Sequence, residues 1–246
     1  MMPTDSIPNS SSEGRYVPSR LEMILAGRCM AAVLFVSLNR YTQWGFSARP
    51  WLLFASTLFV AIPFCTHAVR SGYGISVSLA LVFCWLGDYA GPYSFMIGVG
   101  FFLIGHGFLI LGYVLHGLKM ARLAFAAPIG LGISVWIGLQ LLPLVHSHEQ
   151  WLVIAYLVTI TLMVSLAGGA QGRWTHRLLV LGAVLFYVSD LFLALNRYTA
   201  IQIDYTYFGY PMYYAACVLF GLSVSATELE RAETLNQPLS NDTCSP

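Results

Sequence analysis

Apolar runs of about 20 residues recur along this chain, each long enough at ~1.5 Å per residue to cross the ~30 Å hydrocarbon core of a bilayer. The plainest is LLVLGAVLFYVSDLFLALN, Leu178–Asn196. Eight spans are expected, at approximately Leu21–Leu38, Pro50–Val69, Ile75–Tyr89, Tyr93–Leu115, Ala121–Leu142, Trp151–Ala167, Leu178–Asn196 and Tyr210–Thr227. The runs are continuous and lack the ten-residue alternation of membrane barrels, so helices are expected. Only 9% of residues are charged, against about 25% in soluble domains, which is too few to cover a chain that is 57% hydrophobic. The expected fold class is all-α, a polytopic transmembrane helix bundle. Residues 21–229 would form one domain between two polar tails, a Ser- and Pro-rich one at 1–20, expected to be disordered, and one at 230–246.

Basic residues suggest an orientation. Arg15, Arg20, Arg70, Lys119, Arg122, Arg173, Arg177 and Arg231 fall in the tails and in the 2–3, 4–5 and 6–7 loops. The opposite side has Arg40, Arg49 and Arg197, and Arg28 lies inside the first span. The positive-inside rule then puts both termini in the cytoplasm. The expected location is a bacterial inner membrane or a eukaryotic endomembrane. A net charge of +1 gives no basic field for nucleic acid, and no nucleic-acid motif is present. The five cysteines are scattered without CxxC spacing, which favours neither a disulfide framework nor a zinc site. His146 and His148 beside Glu149 read as a solvated loop, and no metal or other cofactor is expected. Two smaller patterns concern packing. Gly130, Ser134 and Gly138 make a small-residue stripe that lets a neighbouring helix approach closely. The pentapeptide LNRYT occurs at Leu38–Thr42 and again at Leu195–Thr199, reflecting either an old duplication or two copies of a membrane-exit signal.

Two acids lie deep in apolar spans, Asp88 in the third and Asp190 in the seventh. Inserting each costs roughly 2.5–3.5 kcal/mol, so an intramembrane acid is a functional candidate by default. Both spans run outward and each acid sits ~18–20 Å along its helix, so the two share a depth in the outward half. A cavity holding both would open toward the non-cytoplasmic face. Two carboxyl groups facing one low-dielectric chamber cannot both ionise readily, and such pairs divide into an acid and a base. Alternatively, each aspartate only hydrogen-bonds a neighbouring helix, or Asp88, close to Gly91 and Pro92, marks a helix end.

Other candidates surround this pair. His106, in mid-span, could relay a proton or orient an aspartate, or be a neutral histidine bonded to a backbone carbonyl. His67 is a weaker candidate of the same kind. Arg197 lies on roughly the face of Asp190, ~10 Å nearer the outer interface. Its guanidinium suits a lipid phosphate, or it snorkels. Asn196 beside it is grouped with the substrate-binding candidates, and Arg40 is a similar, weaker one. Tyr210, Tyr213 and Tyr214 open the eighth span, as an aromatic belt or as hydrogen-bond donors at the cavity mouth. Tyr213 and Tyr214 are grouped with the substrate-binding candidates, and the resemblance described next favours the cavity for at least one of them.

Several of these segments together resemble the YhhN family of multi-pass membrane proteins. The matching pieces are Gly87-Asp88, Phe102-x-x-x-His106, Gly182-Ala183-x-x-Phe186-x-x-Ser189-Asp190-x-x-Leu193-Ala194 and Tyr213-Tyr214-Ala215-Ala216. They follow family order over approximately residues 51–227, and the span 7 piece carries most weight. Cys217 stands where the family usually has Gln, and Leu109 where it often has Tyr. Characterised members are lysoplasmalogenases, so the resemblance implies hydrolysis of the vinyl ether of a lysophospholipid substrate. The products would be a fatty aldehyde and a glycerophosphocholine or -ethanolamine. It implies Asp88 and Asp190 as catalytic groups and no cofactor. A proton-coupled transporter, or a lipid-binding protein using the same aspartates, is the competing expectation.

Overall fold

The chain enters its bundle at Ser19. The Ser19 hydroxyl accepts from the Glu22 amide at 3.2 Å, and the Glu22 carboxylate accepts from the Ser19 amide at 2.7 Å. This capping box starts helix α1, Arg20–Thr42. The structure, a computed structural model, describes residues 16–201 and 204–236. Seven more helices follow: α2 (Ala48–Ala61), α3 (Gly72–Ala90), α4 (Phe95–His116), α5 (Met120–Leu141), α6 (Gln150–Gly169), α7 (Trp174–Tyr198) and α8 (Gly209–Asn236). No strand is present among the described residues, and an isolated bridge between Leu118 and Ala170 ties two loops together. Among the described residues, eight helical segments are long and apolar enough to span a membrane. The all-α expectation holds, and the chain is a multi-pass membrane protein. Helices satisfy their own backbone groups, which hydrocarbon demands of any segment that crosses it.

Burial distinguishes inner from outer helices. The most apolar stretch of α5 is only 22% buried, and Phe125, Trp136 and Leu139 stand out from it at 65–75% exposure. Such a surface suits acyl chains. The corresponding stretch of α8 is 67% buried, and α8 packs against α1, α2, α3 and α7. It is the axle of the fold.

The small-residue stripe of α5 lies against α6: Thr161 donates to Ser134 Oγ at 2.6 Å, and Ser134 also shares a 2.8 Å hydrogen bond with Tyr187 of α7. Both LNRYT copies end a helix in the same way. Thr42 and Thr199 each donate to the leucine carbonyl four residues back, at 2.8 and 2.7 Å. Each arginine then pairs with a loop carboxylate, Arg40 with Asp204 at 3.2 Å and Arg197 with Glu149 at 3.0 Å. The repeat is a helix-exit device used twice.

The second span differs from the expected single run to Val69. Pro63 has no amide hydrogen to continue an α-helix, and after Ala61 the chain tightens into two 3-10 turns, Ile62–Cys65 and His67–Arg70. Its His67 is exposed at the end of the bundle nearest the termini. Tyr16, inside the expected N-terminal tail, donates to the Leu222 carbonyl at 3.0 Å and meets Ser225 Oγ at 2.6 Å. The eighth helix runs past its expected end to Asn236. That extension brings the Glu230 carboxylate onto the Arg173 and Trp174 amides at the start of α7, at 2.6 and 2.5 Å. The tail readings at 1–15 and 237–246, with Cys244, lie outside the described residues.

Candidate active site

Helices alternate in direction, so α1, α3, α5 and α7 finish where α2, α4, α6 and α8 begin, at the end away from both termini. A cavity of about 470 Å³ occupies that end. Its walls come from the first turns of α2, α4 and α8, the last turns of α3 and α7, and Tyr205 of the loop before α8. Asp88 and Asp190 both line it. Two acids about a hundred positions apart in sequence are thus brought into one chamber.

Each carboxyl has its own polar setting. Asp88 Oδ2 accepts from Ser56 Oγ and from Tyr213 OH at 3.0 Å; the Tyr214 hydroxyl lies 3.4 Å from it and donates to the nearer Leu52 carbonyl at 3.0 Å. Asp190 Oδ2 accepts from Tyr156 OH at 2.8 Å. No hydrogen bond joins the two carboxyls among the described residues, so the expected pair faces one cavity without sharing a proton directly. The ring of Phe102 lies against Phe186 and Tyr213, with centroids 6.4 and 5.6 Å away.

His106 is buried behind Asp190. Its Nδ1 lies 2.6 Å from the Phe102 carbonyl, and a carbonyl can only accept, so Nδ1 carries the proton and donates. In the neutral ring Nε2 is then a lone pair. It faces Asp190 Oδ2 at 3.8 Å, beyond hydrogen-bond reach, and has no other partner among the described residues.

A second cavity, of about 90 Å³, lies between α4, α5, α6 and α7 and is almost wholly apolar. Phe95, Val99, Phe102, Asp190 and Leu193 border both spaces, so Asp190 stands at the junction. On the side nearer the termini, one turn beyond the site residues, the bundle closes. Phe59, Cys84, Phe186, Cys217 and Phe220 are all buried there. Leu109 and Cys217, where the chain departs from the resemblance, line neither cavity and belong to this packing.

The remaining sequence candidates divide. Tyr213 and Tyr214 line the large cavity, as does Tyr210. Asn196 is half-buried at the end of α7 and lines neither cavity. Arg197 also lines neither; it pairs with Glu149, and its guanidinium lies 4.6 Å from the ring centre of Phe95, a wall of both cavities. Ser56, Tyr156, Tyr205 and Arg49 were not anticipated at the site. A hydroxyl in the middle of an apolar run was the available signal for Ser56 and Tyr156. Among the described residues no three His, Cys, Asp or Glu side chains form a group able to hold a metal ion.

The motif glycines and Ser189 have mechanical reasons. A Cβ on Gly87 would lie 2.8 Å from Phe102 Cζ, so only glycine lets that ring sit beside Asp88. A Cβ on Gly182 would lie 2.7 Å from Phe220. Ser189 meets Tyr205 OH at 2.7 Å and donates to the Gly209 carbonyl at 3.1 Å, which holds the loop before α8 over the cavity.

A scan of family models matches the YhhN family over residues 42–224. The chain belongs to the YhhN family. The matched region contains every piece of the resemblance and both aspartates. No curated protein and no solved structure matches the chain.

The Glu149–Arg197 pair of this YhhN protein yields a stability prediction. Desolvation disfavours the Glu149 anion, but the Arg197 hydrogen bond and charge outweigh it and hold the carboxyl below the usual glutamate range. A depressed folded-state value stabilises the fold above the unfolded value, near 4.3, and that gain disappears as pH falls through the folded value. Glu149→Gln should therefore lower the melting temperature at neutral pH by a few degrees. The gap to wild type should close in thermal scans below about pH 4.

Proposed function

We propose that this YhhN protein is an intramembrane hydrolase that cleaves the vinyl ether bond of lysoplasmalogens. The observation carrying the reading is that Asp88 and Asp190 face one cavity, with Asp190 at its junction with an apolar slot. A single-chain ether lipid has that division: a polar head, a reactive vinyl ether and a long alkenyl tail. The slot suits the start of the tail, and the large cavity suits the glycerol and head group.

The chemistry needs a proton donated to the β-carbon of the vinyl ether. This gives an oxocarbenium ion, which water captures as a hemiacetal. Loss of the glycerol oxygen then yields the aldehyde, with one water consumed. The division of labour resembles that of paired carboxylates in glycoside hydrolysis. Asp190 is the donor in this reading. The lone pair of His106 Nε2 faces its Oδ2, which suits a carboxylic acid better than an anion. Its Oδ1 has no protein partner among the described residues and can reach into the chamber. Asp88 is the anion: hydroxyl donors from Ser56 and Tyr213 converge on its Oδ2, a setting that suits negative charge. It faces the developing cation and accepts a proton from the attacking water.

The buried layer beneath the cavity supports a dead-end chamber over a transport path. The basic-residue bias supports a chamber facing away from the cytoplasm.

Hydrolysis in D₂O tests the reading. Carbon protonation places one deuterium on the aldehyde carbon next to the carbonyl, read by mass spectrometry, and the saturated ether analogue remains intact. No aldehyde release from lysoplasmalogen by the purified protein, or aldehyde without that label, would overturn the mechanism.

A further inference from the structure

Arg40, Arg49 and Arg197 lie at the end of the bundle that holds the cavity, and their circumstances differ. Arg40 is paired with Asp204 and Arg197 with Glu149. Arg49, in the first turn of α2, lines the large cavity and has no carboxylate partner among the described residues. Its guanidinium lies against tyrosine rings, 4.1 Å from the centre of Tyr93 and 5.8 Å from that of Tyr89. A cation over a ring face keeps its charge, and the Arg49 guanidinium makes no hydrogen bond to protein among the described residues.

The surroundings are also electropositive. Helices α2 and α4 both begin at the cavity, and neither N-cap serine, Ser47 or Ser94, caps its helix with a side-chain hydrogen bond. Two positive helix ends thus add to the Arg49 charge. Both acids of the same chamber lie deeper. Ser56, which donates to Asp88, is about two turns further along α2, ~10 Å at 1.5 Å per residue. A phosphate held at Arg49 would leave the rest of the lipid to run toward the acids.

We propose that Arg49 receives the phosphate of a single-chain lipid head group and so sets where the glycerol backbone lies relative to Asp88 and Asp190. The inference takes its lipid class from the hydrolase reading. The phosphate site itself follows from an uncompensated guanidinium facing a cavity that continues into an apolar slot. A planar guanidinium offers a phosphodiester two parallel hydrogen bonds, which a lysine cannot match. Arg197, the arginine expected from the sequence, already has its charge paired with Glu149 through one hydrogen bond.

The test is binding, measured on the detergent-purified full chain with two lipids that lack a vinyl bond. One is 1-O-hexadecyl-lysophosphocholine; the other is 1-O-hexadecylglycerol, which has no phosphate. Wild type should prefer the first by about tenfold or more, the usual scale for a charge-assisted hydrogen bond. Arg49→Gln should bind both alike, and Arg49→Lys should lose a substantial part of the preference. Arg177→Gln, at the opposite end of the bundle, should keep the wild-type ratio and so excludes a general charge effect.

An undiminished preference in Arg49→Gln, or none in wild type, overturns the proposal. If Arg49→Gln does not fold, an unchanged ratio in Arg49→Lys does the same. Free glycerophosphocholine binding as tightly as the ether lipid would overturn the assignment to a lipid. None of these measurements involves turnover. Arg49-dependent binding by a chain that never releases aldehyde would count against the hydrolase alone, and aldehyde release with an Arg49-independent preference against this site alone.

Discussion

Asp190→Asn should lower kcat for lysoplasmalogen by about 10²–10⁴-fold, the usual worth of a positioned general acid. Asparagine is nearly isosteric and its oxygen can still accept from Tyr156, so the walls of both cavities should stay in place. What it cannot do is deliver a proton to carbon. The Kd for the saturated ether lipid should therefore change little while single-turnover aldehyde release collapses. Stability should move in the opposite direction from activity. An acid inside an apolar span is costly to keep, and functional sites often retain groups that destabilise the fold. The melting temperature of Asp190→Asn should be equal to or above that of wild type. If the aspartate instead only tied α7 to α6 through Tyr156, asparagine would keep that tie and the variant would turn over normally. Unimpaired turnover would remove Asp190 from the mechanism.

The bundle was legible because hydrocarbon permits so few backbone solutions. Once runs of about 20 apolar residues are recognised, helices are dictated by the need to pair every backbone group. The two acids were legible for the same reason, since an acid in such a run is conspicuous. Partner choice was harder to read. Arg197 looked suited to a phosphate on spacing from Asp190, but Glu149 is 48 positions away in sequence and only folding reveals their pairing. Ser56 and Tyr156 carry no charge and resemble ordinary span residues, so their contacts with the aspartates depend on helix rotation, which periodicity in all-apolar runs does not encode. In the sequence Arg49 bears on orientation alone. Its lack of a carboxylate partner among the described residues is a property of the packed end of the bundle, not of any local pattern.

Asp88→Asn should also cost heavily, about 10²–10³-fold in kcat, the scale for removing an electrostatic stabiliser of transition-state charge. Its signature should differ from that of Asp190→Asn. With Asp190 intact the β-carbon can still be protonated, but the oxocarbenium ion then meets neither a facing anion nor an activated water. The ion returns to vinyl ether by losing a proton from the same carbon. In D₂O, substrate recovered from Asp88→Asn should carry deuterium at that carbon, while substrate recovered from Asp190→Asn should carry none. The double variant should be little slower than Asp190→Asn alone, because residues that act in sequence on one intermediate are not additive. The tyrosines provide an internal control. Tyr213 can still donate to the asparagine oxygen and Tyr214 keeps its bond to the Leu52 carbonyl, so lost activity reflects the missing charge and not a rearranged chamber. Deuterium in substrate recovered from Asp190→Asn but absent from that recovered from Asp88→Asn would reverse the two roles. Label in neither, with both variants inactive, would mean that carbon protonation requires the two carboxyls together.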